Sequence, residues 1–260
     1  TMTRSAPIES QFREKMIDNL NAEIAINSVS NVQEAIQWLR YTYFYIRLFK
    51  NPIVYGCDFS LLAQDPTLTN FRRDIIIAAA KELDKARMIR YNNRTEDLVS
   101  TDLGRTACNY YITHGTILQI NERLKEFMTE FDVVDLTCSA DEFKQIRLRE
   151  EETEEIANLS SEYCDFKMSK FKKTKAFKKM DEEVQTEVTD GYAGVNDDAG
   201  NDDRSKVGVL FQAYISRAKV ESYSLISDLN YISANVGRIL RAFFEITLKK
   251  IIGKSFHSSI

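Results

Sequence analysis

Apolar positions in the first hundred residues recur at helical rather than strand spacing. Ile8, Phe12, Met16, Leu20 and Ile24 share one face of a helix expected over residues 8–25. A polar turn at Ser28–Asn31 separates it from a second helix, whose inner face reads Val32, Ala35, Ile36, Leu39, Tyr43 and Ile46. This second helix is dense in aromatics, which predicts burial between two packing partners. It must stop before Pro52, because the residue preceding a proline disfavours helical dihedrals. Asp65-Pro66-Thr67 opens a third helix, with Ile75, Ile76, Ala79, Leu83 and Ala86 facing inward. Met88–Tyr91 and Leu98–Ser100 are then short β-like runs around a polar turn at Asn92–Asp97, a hairpin signal. Helices followed by a small hairpin form a winged-helix pattern, expected over residues 1–104.

Past Gly104 the pattern stays helical. Short helices are predicted at Arg105–Ile112, at Thr116–Phe127 with Ile117, Ile120, Leu124 and Phe127 inside, at Thr129–Cys138, and at Ala140–Arg149. The charged run over residues 147–155 reads as an exposed helix face, with Arg147 pairing Glu151 one turn on. Residues 165–205 interrupt this order. Lys167 to Lys179 holds seven lysines in thirteen positions, and Asp181 to Asp203 carries nine acidic residues without apolar period. The acidic half is expected to be a disordered surface loop, its charge screened by the lysine-rich half. Helical pattern returns at Lys206.

The longest helix is expected over Ser227–Lys250. Leu225, Leu229, Ile232, Val236, Ile239, Leu240 and Phe243 gather on a stripe that must be buried. Across from it run Tyr231, Asn235, Arg238 and Ala242, flanked by Arg241 and Glu245. A stripe of amide, guanidinium, aromatic and small side chains is suited to sliding along a sugar-phosphate backbone. A merely solvated helix face would read the same way.

Composition narrows the chemistry. With 43% hydrophobic and 28% charged residues the chain is of ordinary globular type, and its nine glycines and three prolines favour helix over turn-rich β architecture. The net charge of −4 argues against strong global attraction to nucleic acid, so any basic site must be local. Cys57, Cys108, Cys138 and Cys164 form no CxxC pair, and only His114 and His257 could assist them. No metal site is expected, and the cysteines read as free thiols in a reducing compartment, nuclear or cytosolic. No apolar run approaches the roughly 20 residues a membrane span needs. The N-terminus lacks an apolar signal region, and its abrupt start suggests a piece of something longer. There is no P-loop, no HExxH, no GxSxG and no glycine fingerprint for a dinucleotide, so no catalytic residue is expected.

Six strings carry a likeness that extends over nearly the whole chain outside residues 165–205: PIESQFREKMIDNLNAEIA, EAIQWLRYTYFYIRLFKNPIVYG, DKARMIRY, STDLGRTACNYYITHGTI, DEFKQIRLREEE and QAYISRAKVESYSLISDLNYISANVGRILRAFFEI. Together they resemble the dual-cassette superfamily-two helicases. The resemblance implies a mainly α fold: a winged helix with a small β hairpin over 1–104, then a helical bundle over 105–260 carrying a long ratchet helix beneath the nucleic-acid tunnel. It implies that Asn235, Arg238 and Arg241, with Tyr231 beside them, grip a translocating strand. No cofactor is implied for these residues; ATP and magnesium would belong to motor domains outside them. The implied partners are single-stranded nucleic acid, the motor domains of the same chain and subunits of a larger complex, with no membrane.

Two other readings are open. An aromatic-rich winged helix could be a protein-interaction scaffold. The third helix could read duplex through Asn70, Arg72, Arg73 and Lys81.

Overall fold

The computed structural model describes residues 8–125, 127–166 and 198–257. Among these the chain is mainly α: α1 Phe12–Ala25, α2 Val32–Trp38, α3 Tyr43–Lys50, α4 Phe59–Gln64, α5 Thr69–Lys85, a hairpin of β1 Ile89–Tyr91 and β2 Leu98–Ser100, then α6 Asp102–Tyr110, α7 His114–Arg123, α8 Glu130–Cys138, α9 Thr153–Tyr163, α10 Asp198–Ile215 and α11 Tyr223–His257. Two compact units result, one made of Thr1–Leu124 and Arg238–Ile260, the other of Lys125–Gly237.

In the first unit, α1, α2 and α5 bury Leu20, Ile24, Val32, Ile36, Ile76 and Leu83 against one another, with Met88, Ile89 and Leu98 from the hairpin closing the core. The hairpin is antiparallel, Arg90 opposite Val99. Asn31 starts α2 by accepting the Glu34 amide at 2.9 Å. The single helix expected from Val32 to Phe49 is broken. Thr42 adopts extended dihedrals, and its hydroxyl caps α3 by accepting the Tyr45 amide. The break rotates α3, so Phe44 and Leu48 are buried while Tyr43 and Ile46, expected inside, are exposed. α6 follows the hairpin closely because Gly104 lacks a side chain. A Cβ there would run into the Met88 carbonyl and lie 2.8 Å from Asn21 Oδ1. Asn21 Nδ2 donates to the Gly104 carbonyl at 3.0 Å, pinning α1 to α6.

In the second unit, α8, α9, α10 and the first half of α11 bury Leu136, Ile156, Leu210, Leu225 and Ile232. Three expectations fail here and just before it. α7 stops at Arg123, and Phe127, expected inside, is 89% exposed. The helix predicted over Ala140–Arg149 reduces to a 3-10 turn at Asp141–Phe143. The charged run is exposed at Arg147, Arg149, Glu150, Glu151 and Glu154 but fails as a uniform outer face at Glu152, which is 1% exposed with the fully buried Lys206 at 2.5 Å. Lys206 Nζ also donates to Asp228 at 2.6 Å and to the Arg147 carbonyl at 2.9 Å, so all three of its protons are used. Arg147 pairs with Asp203 at 2.9 Å rather than with Glu151. Burial alone would raise the Glu152 carboxyl. Hydrogen bonds from Lys206, Ser224 and the Arg149 amide outweigh it and hold the group at about 2.

The lysine-rich run and most of the acidic run of the insertion lie outside the described residues. Its expected end at 205 is revised, since α10 already begins at Asp198. Asp203 ties this helix to the 147–148 segment, accepting the Leu148 amide at 2.6 Å and pairing with Arg147.

Candidate nucleic-acid interface

α11 is 35 residues long, and its faces can be read by burial. Leu225, Ile232, Val236, Ile239, Ala242 and Ile246 are buried. Leu229, Leu240 and Phe243, expected with them, are only partly covered. Opposite runs an unbroken exposed line: Tyr223, Ser227, Asn230, Ala234, Gly237, Arg241, Phe244 and Leu248. Its alternating spacing of four and three keeps it on one side of a 3.6-residue helix. The solvent face is therefore turned by about 100°, one residue, from the stripe expected through Tyr231, Asn235, Arg238 and Ala242. Ala242 is 0% exposed and leaves that stripe. The sequence pattern missed this because Ala242 is small enough to pass for either face, and Leu240 drew the buried stripe towards itself.

Each candidate has a defined position. In the second unit, Tyr231 is half-buried; its phenol donates to the Glu142 carbonyl at 3.0 Å and its ring meets Phe143 edge-on at 6.5 Å. Asn235 is also half-buried, its amide donating back to the Tyr231 carbonyl at 2.7 Å. In the first unit, Arg238 Nη1 donates to the Tyr110 carbonyl at 3.2 Å and to the Tyr111 carbonyl. These carbonyls end α6, where intrahelical partners run out and the helix dipole is negative, so the guanidinium serves as a C-terminal cap. Arg241 is exposed.

Beside Arg241, an apolar groove of about 410 Å³ is lined by Tyr110, Leu240, Phe244 and Leu248. Phe244 is 66% exposed at its edge. Glu245 also lines it. Its carboxyl is held below the usual range by a 2.5 Å hydrogen bond from Lys249, against a raising effect of burial, with Thr106 and Tyr110 adding further donors. The Glu245–Lys249 pair was legible as an i,i+4 spacing. Gly237 sits mid-helix with nothing within 4 Å of where a Cβ would be. The exposed line is thus narrowest at Ala234 and Gly237, immediately before Arg241.

The helix expected to read duplex offers little. Arg72 is 3% exposed, donating to the Ile36 carbonyl at 2.8 Å and lying over the Tyr45 ring at 5.2 Å. Arg73 is held by both carboxylate oxygens of Glu96. What remains exposed on α5 mixes Asn70 and Lys81 with Asp74 and Glu82.

Among the described residues no group of His, Cys, Asp and Glu is placed to hold a metal ion, and no helix is long and apolar enough to cross a membrane. Burial pushes the Cys138 thiol up to about 12, the mark of an inert side chain. His114 Nδ1 lies 2.9 Å from Asp18, whose carboxylate also accepts the His114 amide.

Two family models match the chain, the Sec63 Brl domain over residues 100–259 and a winged helix-turn-helix domain over residues 9–85. Activating signal cointegrator 1 complex subunit 3 of Bos taurus is 43% identical over 249 residues, 96% of this chain and 10% of that protein. The Homo sapiens protein of the same name is 43% identical over the same share of both chains. A DExH-box ATP-dependent RNA helicase of Arabidopsis thaliana is 36% identical, again over 96% of this chain and 10% of its own length. The chain thus spans about a tenth of the curated relatives it matches. The resemblance to superfamily-two helicases holds, and the chain belongs to the Sec63 Brl domain family, with a winged helix ahead of that module.

Proposed function

We propose that this chain is the accessory region of an ATP-dependent nucleic-acid helicase and that α11 guides a single strand during unwinding. The observation that carries the reading is the exposed line along α11, which leads through Ala234 and Gly237 to Arg241 and Phe244. Small residues let a sugar-phosphate backbone approach the helix closely. The Arg241 guanidinium supplies charge-assisted hydrogen bonds to phosphate. Phe244 offers a face on which any base can stack. Tyr231, Asn235 and Arg238 border this line, and in this proposal they touch the strand from its flank while anchoring their own neighbours. Contacts of this kind must be weak and repeated, since a tight one would stall movement.

ATP and magnesium belong, in this proposal, to motor domains elsewhere in a longer protein, working in the nucleus or cytosol as part of a larger complex. The test is strand displacement by the full-length parent carrying Arg241→Glu. Unwinding is expected to fall at least several-fold while ATP binding persists; unchanged unwinding overturns the assignment. Because Arg241 is exposed, the substitution leaves the fold intact, which circular dichroism checks.

A second reading, a protein-interaction scaffold, is favoured by one feature. Tyr41 is 90% exposed, and Tyr43, Ile46, Ile53 and Val54 are each at least half exposed in the same winged-helix region. Such side chains mark contact surfaces when they cluster. Ile46→Asp would then abolish co-purification of partner subunits while leaving unwinding by the isolated enzyme unchanged.

A further inference from the structure

The base of the wing frames an open concavity of about 610 Å³ that the strand-guiding reading does not use. Its volume is within the range of small-ligand sites. Arg87, Arg90, Arg105, Lys249 and Lys250 surround it, against two lining carboxylates, Asp84 and Asp102. Both carboxylates are engaged: Asp84 accepts the Tyr91 amide at 3.1 Å, and Asp102 pairs with Arg105 at 2.8 Å. Lys249 is tied to Glu245 at 2.5 Å. Arg87 and Arg90 have no carboxylate partner among the described residues, and both are exposed. A chain with net charge −4 therefore concentrates cations at this one concavity.

The backbone places these two guanidiniums deliberately. Arg90 and Val99 are opposite one another in the hairpin, so their side chains leave the same face of the sheet, and both line the cavity. Arg87 sits in the turn from α5 into β1 with φ of 58°, a left-handed conformation that favours glycine. Its carbonyl accepts the Thr101 hydroxyl at 2.8 Å, which holds the turn in place. This left-handed residue ends α5, with the Met88 amide donating to the Leu83 carbonyl, and so fixes where the Arg87 side chain leaves the helix.

We infer that the wing base is a phosphate-binding site, with Arg87 and Arg90 as its principal contacts and Val99, Leu103 and Ile246 as an apolar floor. The phosphate comes either from a nucleic-acid backbone or from a soluble polyphosphate. This inference stands apart from the α11 reading, because none of its residues lies on the exposed line of that helix.

The test uses the 260-residue chain with two probes, inorganic tripolyphosphate by calorimetry and a fluorescent oligouridylate by anisotropy. Arg87→Gly and Arg90→Thr are each expected to weaken tripolyphosphate binding about tenfold, the loss of one charge-assisted contact. Lys15→Glu, at an exposed cation outside the lining, leaves it unchanged, which separates this site from general surface charge. Arg87→Gly also relaxes the left-handed turn, so its Tm is unchanged or higher and unfolding cannot account for lost binding. Displacement of tripolyphosphate by the oligonucleotide, lost in both variants, identifies backbone phosphate as the ligand; binding of tripolyphosphate without such displacement identifies a soluble polyphosphate. Absence of tripolyphosphate binding, or binding by both variants as tight as by the unsubstituted chain, overturns the site.

Discussion

Replacing Lys206 by methionine probes the most heavily buried charge in the second unit. Lys206 is 0% exposed, and its ammonium satisfies Glu152, Asp228 and the Arg147 carbonyl at once. Methionine keeps most of the volume and removes the charge. Glu152, at 1% exposure, would keep the Arg149 guanidinium at 2.6 Å and the Ser224 hydroxyl at 2.6 Å but lose its shortest cationic contact. Breaking a buried pair from one side typically costs about 3–5 kcal/mol, because a charge is left uncompensated. The depressed Glu152 carboxyl gives an independent figure. A fall from 4.5 to about 2 corresponds to about 3 kcal/mol of stability. Since the folded value lies below the unfolded one, this stability is fully present above pH 4.5 and is lost as pH falls towards 2. The assay is native-state hydrogen exchange of amides in α9 and α10, which reports the second unit alone. Lys206→Met should lower protection by about 3 kcal/mol, and the double variant with Glu152→Gln should recover more than half of that loss. A single-variant loss below about 1 kcal/mol, or additive losses in the double, would refute the reasoning.

Three further outcomes are expected. Gly104→Ala should destabilise the first unit by about 1–3 kcal/mol, read by urea unfolding with Trp38 fluorescence, because the added methyl meets the Met88 carbonyl. Arg238→Ala should cost about 1–2 kcal/mol in the same assay, having uncapped the α6 carbonyls, whereas Arg241→Ala should stay within about 0.5 kcal/mol. Gly237→Ala should stabilise α11 by about 0.5–1 kcal/mol in thermal unfolding, since nothing crowds a Cβ there, while Gly237→Trp should slow strand displacement by the full-length parent.

Much of the architecture was legible because period and punctuation agreed. α1 needed only Met16, Leu20 and Ile24 at helical spacing, and the hairpin needed two β-like runs around Asn92–Asp97. The failures are of helix ends. At Thr42 a side-chain cap starts a new helix where the apolar period alone would continue the old one, while α7 turns extended at Leu124 and Ala140–Arg149 keeps a single 3-10 turn, neither of which the period announces. In the candidate interface, Arg241 was legible as a basic residue of the long final helix. Arg238 looked equally available, since nothing near it in sequence announces that α6 ends beside it.

The sequence by itself determined the mainly α class, the wing, the long final helix and the absence of catalytic motifs, because these depend on neighbours within a few residues. Tertiary structure alone decided which way α11 faces and which charges are spent internally. Whether an arginine caps a helix 127 residues away, or a lysine disappears beneath Glu152 and Asp228, depends on chain segments that come together only after folding. A helical period fixes the angle between side chains; the packing partner fixes where that angle is measured from.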